Sequence, residues 1–194
     1  MAKRVFFSFH YKDVIDFRAN VVRNHWLTKP DREEAGFFDA SIWGSVKMSG
    51  KSAVKRLINS SLQGTSVTCI LAGSQTYARQ WVRYEILKSF VKGNSLLVVN
   101  INSIPGKDQQ VKPRGPNPLN YVGFTLGEFG RIRTLWEYFN GKWIEYSEIS
   151  ESASIVMKTV QPKFWNKGFC LAEWYPEYDW VNDDGFNNFA DWID

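Results

Sequence analysis

Glu85 stands in Trp81-Val82-Arg83-Tyr84-Glu85-Ile86, early in a stretch of amphipathic helical spacing that follows an apolar run. One carboxylate among aromatic side chains can stabilise a cation, or a group that turns cationic as a bond breaks. Near a helix start the same residue is also an ordinary solvated charge, favoured by the helix dipole. The surrounding residues must decide between the two. His10 and His25 are the two histidines. His10 follows the first apolar run and either lines a pocket there or carries no chemistry. His25, beside Trp26 in a helical segment, reads as exposed or internally satisfied. Cys69, in Val67-Thr68-Cys69-Ile70-Leu71, reads as a small buried thiol. With Cys170 it makes neither a disulfide framework nor a metal-ligand spacing, so no metal is expected.

Several chemistries are excluded by what surrounds the first strand. A dinucleotide-binding turn needs glycines there, and the chain has Ser8-Phe9-His10-Tyr11-Lys12. A phospho-receiver site needs acidic residues at the same place. No G-x-x-x-x-G-K-[ST] phosphate loop and no G-x-S-x-G nucleophile turn occur.

The elements that must carry these residues alternate in the first half of the chain. Val5-Phe6-Phe7-Ser8-Phe9 is too short for a helix and rich in strand formers. Val14, Phe17, Val21 and Val22 recur at helical spacing within 13–26. A second strand is expected at Ala35-Gly36-Phe37-Phe38, and a second helix over 52–62 with Gly64 at its end. Strands at 66–71 and 95–101 bracket a helix over 81–91. Near-continuous apolar strands between helices predict a parallel sheet covered on both faces. Function in such sheets gathers at the carboxyl ends of the strands. Residues 103–120 hold Pro105, Pro113, Pro116 and Pro118 and read as a long loop. Asn140-Gly141 between aromatic-rich runs predicts a β-hairpin. A helix near 152–160 and a short docked one, with Phe186, Phe189 and Ile193 on one face, close the reading. The expected division is an α/β domain over 1–125 with a packed extension, hairpin and tail, over 126–194.

Composition bounds the partners. A chain of 194 residues, 44% of them hydrophobic, supports one ordinary domain with an appendage. The first strand begins almost at Met1 without a signal-peptide core, and no run is long and apolar enough to span a membrane. A cytoplasmic protein is expected. Residues 1–115 carry 18 Lys and Arg against 8 Asp and Glu, and residues 116–194 carry 6 against 12. The basic part would attract a dinucleotide's phosphates. Its charges are scattered, and no nucleic-acid motif accompanies them, which argues against a nucleic-acid binder.

Five segments in register carry a resemblance. They are Phe6-Phe7-Ser8-Phe9-His10, Phe37-Phe38-Asp39-Ala40-Ser41-Ile42-Trp43, Leu57-Ile58-Asn59-Ser60-Ser61, Val67 to Ser74, and Trp81 to Ile86. Their order and spacing resemble the TIR domain across about residues 4–102, in a flavodoxin-like fold. With the Asn140-Gly141 hairpin and the tail at Tyr178-Asp179-Trp180, the whole chain looks like the TIR-like signal-producing subunits of the bacterial Thoeris anti-phage system. That resemblance implies cleavage of NAD, as substrate and with no cofactor, at the nicotinamide–ribose bond. The ADP-ribose would be cyclised into a signal for a partner effector that destroys the cell's NAD. It also implies a phage-derived trigger and self-association. A non-catalytic TIR adaptor acting through protein contacts is the alternative.

On this reading Glu85 is the catalytic residue. Phe9 and Trp43 would stack on the nicotinamide, or else pack the core. Ser8, His10, Asp39 and Ser41 would hydrogen-bond the substrate at the strand ends, although Asp39 could equally cap the next segment. Trp81 is expected to pack its helix on the sheet. The loop after Asn102 and the hairpin are candidates for a lid that excludes water.

Overall fold

A computed structural model describes residues 3–36, 45–150 and 161–193. Its central sheet is five-stranded and wholly parallel, in the order β2-β1-β3-β4-β9. The strands are β1 (Lys3–Phe9), β2 (Arg32–Ala35), β3 (Val67–Ala72), β4 (Ser95–Asn100) and β9 (Glu177–Asp179). Between them run helices α1 (Tyr11–Ile15), α2 (Arg18–Leu27), α3 (Lys51–Ser61) and α4 (Gln80–Lys92), and α5 (Gly185–Ile193) closes the chain. Every residue of β3 is buried, as expected of a strand covered on both faces.

The alternation along β1 divides the core in two. Phe6 faces a cluster with Ile58, Ile70, Ile86 and Phe124. Val5 and Phe7 face another with Trp26, Leu97, Phe189 and Ile193. Over the first of these lies an antiparallel sheet, in the order β7-β6-β5-β8. It consists of β5 (Val122–Leu126), β6 (Ile132–Phe139), β7 (Lys142–Glu145) and β8 (Lys167–Cys170). Helix α4 is thereby sandwiched between two sheets, with Phe90 against Phe124 and Arg83 bonded to Glu137 of β6. This corrects the expected amphipathic helix: nearly the whole run from Val82 to Val91 is buried. Position 125/126 falls inside β5, and β9 returns to the parallel sheet. The later part of the chain is therefore woven into the main sheet as well as packed on it.

Other expectations shift in detail. The helix expected over 13–26 breaks at Phe17, whose φ is +64°. The break changes the phase, so Phe17 and Val21 are exposed while Ala19, Val22 and Trp26 are buried. The second strand lies earlier than expected and is charged, as suits a sheet edge. The hairpin turns on Asn140 and Gly141, both with positive φ. Phe186, expected on the docked face of α5, is 65% exposed. The helix expected near 152–160 lies outside the described residues.

The break at Phe17 lets Arg18 turn inward. Its side chain is fully buried; Nε donates to the Ile104 carbonyl at 2.8 Å and Nη2 to the Gln110 carbonyl at 2.5 Å. Asp16 pairs with both Arg18 and Lys112. Gly115 lies against the backbone of Gly73 and Ser74, where a Cβ would clash. The long loop is thus tied to α2 and to the end of β3. Arg18→Ala would strand two carbonyls and a carboxylate. It is expected to destabilise the fold by about 3 kcal/mol or more, measured as a lower urea midpoint, with new proteolytic nicks between 103 and 117.

Candidate active site

Glu85 is the sixth residue of α4, which follows β3 in the chain and lies against the carboxyl end of β1. In this sheet β2 lies on one side of β1 and β3 on the other. That is where strand order switches and connections diverge to leave a crevice. Glu85 is only 6% exposed. Ser8, on β1 and wholly buried, donates its hydroxyl to Glu85 Oε2 at 2.6 Å. Burial pushes the Glu85 carboxyl up to about 8, against the lowering effect of the Ser8 bond. The solvated-charge reading is therefore excluded: this carboxyl is desolvated and held by the Ser8 hydroxyl.

Glu85 lines a cleft of about 320 Å³. Phe9, His10 and Trp81 are among its walls, together with Gly36 behind β2. Lys12, Lys47 and Arg79 also line it. Arg79 is braced by Gln75, which accepts from its Nε through the backbone and from Nη2 through the side chain. His10 is lowered to about 4, first by burial and then by Arg79, Lys12 and Lys47. At neutral pH it is an uncharged imidazole. The cleft thus combines aromatic walls, a neutral imidazole, a protonatable carboxyl and a cationic lining.

The sequence-based site divides against this geometry. Glu85, Phe9 and His10 come together in the cleft. Ser8, expected to bond substrate, is buried with its hydroxyl engaged by Glu85. Trp81, expected only to pack its helix, lines the cleft. Asp39, Ser41 and Trp43 lie outside the described residues. Arg83, next to Glu85 in sequence, turns the other way, to Glu137 at 3.0 Å and the Tyr77 carbonyl. Among the described residues, neither the 103–120 loop nor the hairpin contributes to the lining. A lid from either finds no support here, and the loop is anchored on α2. Tyr11, Lys12, Lys47, Arg79 and Gln80 were not anticipated individually. For Lys12, Lys47 and Arg79 the sequence signal is the positive excess of residues 1–115.

Comparison with known proteins gives a consistent result. Residues 6–105 match the family model described as "Thoeris protein ThsB, TIR-like domain". The whole chain aligns with the whole of a Bacillus cereus (strain MSX-D12) protein, 49% identical over 195 residues. That relative is named "Putative cyclic ADP-D-ribose synthase ThsB1". Among the described residues no helix is long and apolar enough to cross a membrane.

Proposed function

Because this chain belongs to the ThsB TIR-like family of Thoeris proteins, we propose that it cleaves NAD between nicotinamide and ribose and closes the remainder into a cyclic ADP-ribose signal. The observation that carries this reading is the Glu85 carboxyl, buried in the wall of a cleft lined by aromatic residues and held by Ser8. The name of the Bacillus relative supports the same class of product. The signal would act on an effector subunit, once a phage-derived trigger and self-association have activated the protein.

The chemistry asked of the site is modest. The C1′–N bond breaks heterolytically, both electrons go to the nicotinamide nitrogen, and a neutral base leaves. The sugar carbon becomes oxocarbenium-like, and the Glu85 carboxylate beside it stabilises that charge. A nucleophile within the same ADP-ribose then attacks C1′ and gives up its proton, which the carboxylate can accept. The cationic nicotinamide ring would itself favour ionised Glu85. Phe9 and Trp81 offer ring faces to that cation, and uncharged His10 does not repel it. Arg79, Lys12 and Lys47 suit the pyrophosphate. The cleft lies at the small end of ligand pockets, a size that suits the reacting end of the dinucleotide.

Ser8 acts here as a positioning residue. Its loss removes a hydrogen bond that favours ionised Glu85. Ser8→Ala is expected to lower turnover at pH 7 by about tenfold and to recover most of it near pH 9. A purely structural role would lower activity equally at both. The direct test of the reading is to incubate the triggered protein with NAD and follow free nicotinamide. Intact NAD would overturn it.

A further inference from the structure

A second hollow lies on the opposite side of the antiparallel sheet from its buried core. It measures about 380 Å³, and its walls include Trp136, Trp143, Gly168 and Glu173. The strand register explains it. Trp136 lies opposite Gly123 on one side and Glu145 on the other, and Gly168 lies opposite Thr125. Residues opposite one another in antiparallel strands share a face. Gly168 therefore leaves a gap in this face beside Trp136 and Trp143. A Cβ at Gly168 would meet nothing within 4 Å. The hollow shares no lining residue with the Glu85 cleft.

Its chemistry points to one ligand class. Among the described residues no Lys, Arg or His lines it. The Trp136 Nε1–H donates to Thr125 Oγ1 at 2.7 Å, which fixes the indole and uses its N–H. Glu173 Oε1 accepts from the Cys170 amide at 2.7 Å, which fixes the carboxylate beside the hollow. Aromatic faces and negative charge remain. An anion would be repelled, and a sugar would find few free donors. A cation over such rings is attracted by their quadrupoles, more so beside a carboxylate. Glu145 adds a second carboxylate on the same face, and residues 116–194 as a whole carry 12 acidic against 6 basic side chains.

We propose that this hollow receives the guanidinium or ammonium group of an arginine or lysine presented by a partner polypeptide. Trp143 is 41% exposed and belongs to β7, which among the described residues pairs only with β6. An extended segment can add to that edge and lay an alternate side chain over the tryptophans. Recognition is thus by charge and ring face together, with the backbone supplying the polypeptide preference.

The test uses the full chain and three probes. One is an extended peptide of alternating threonine and valine with a central arginine. The second carries citrulline in its place, with the same shape and no charge. The third is N-acetylarginine amide. The indole N–H resonances of Trp136 and Trp143, assigned by Trp→Phe substitutions, report binding. The arginine peptide is expected to shift both saturably. The citrulline peptide should bind about tenfold more weakly or worse, and Glu173→Gln should weaken the arginine peptide by roughly threefold or more with circular dichroism unchanged. The amide alone should bind several-fold more weakly than the peptide. Equal binding of arginine and citrulline peptides, or no shift with either, overturns the cation site. Amide binding as tight as the peptide's overturns the polypeptide partner. A saturable shift with methyl glucoside and none with the arginine peptide would make it a sugar site and overturn the proposal.

Discussion

Glu85→Gln is expected to abolish nicotinamide release, by a hundredfold or more, and at the same time to make the protein more stable. Glutamine keeps the shape and can still accept from Ser8, but it carries no charge for the reacting sugar. The stability change follows from the ionisation of the native residue. The Glu85 carboxyl is raised from 4.5 to about 8 by burial. Between those two values the unfolded chain has released the proton and the folded chain has kept it. Native stability therefore falls as pH rises through that window. The difference between its two ends is on the order of 4 kcal/mol. The glutamine variant has no such slope. Its melting temperature should match the native protein's near pH 4.5 and exceed it by several degrees above pH 8. Thermal unfolding at a series of pH values reads this directly. A variant that is inactive and also less stable would point to damaged folding instead.

The second large effect is on rate. The ionised form of Glu85 is the one that can stabilise an oxocarbenium-like sugar, and the empty protein holds it protonated until about pH 8. The value of kcat/KM, which reports the free enzyme, should rise about tenfold per pH unit from pH 6 and level off near 8. At saturating NAD the cationic ring favours the carboxylate, so the rising limb of kcat should move to lower pH. His10 does not add a limb in this range, because it is already neutral above about pH 4. Initial rates between pH 6 and 9, at low and saturating NAD, separate the two limbs. A flat profile across that range would remove the buried carboxyl from the chemistry.

These two effects also distinguish the enzyme from a non-catalytic adaptor. An adaptor works through its surface and has no use for a desolvated carboxyl that lowers stability at neutral pH. Strain of this kind is typical of sites kept for function. Here it is concentrated at Glu85 and its donor Ser8.

The sequence made the parallel sheet legible because its apolar runs are short and nearly unbroken, as in Val67 to Leu71. It made Glu85 legible through the TIR-like spacing around Trp81. It could not reveal that α4 would be buried from both sides. That burial depends on an antiparallel sheet contributed mostly by residues after 121, and no local pattern in 80–92 encodes it. The same gap hid the role of Ser8. Its hydroxyl meets Glu85 across 77 positions of sequence, through the pairing of β1 with β3 and the packing of α4. The cationic lining was visible only as an excess of charge, because Lys12, Lys47 and Arg79 come from three separate segments. The break at Phe17 was hidden by a helical periodicity that ran straight across it. Its cause is tertiary: buried Arg18 reaching the backbone of the 103–117 loop.

The most direct measurement is the mass of what the triggered protein makes from NAD, taken alongside the Glu85→Gln variant. The native chain should release nicotinamide in step with a nucleotide lighter than ADP-ribose by one water, and the variant should release neither. Unchanged NAD in both samples, or equal turnover by both, would contradict the role given to this buried carboxyl.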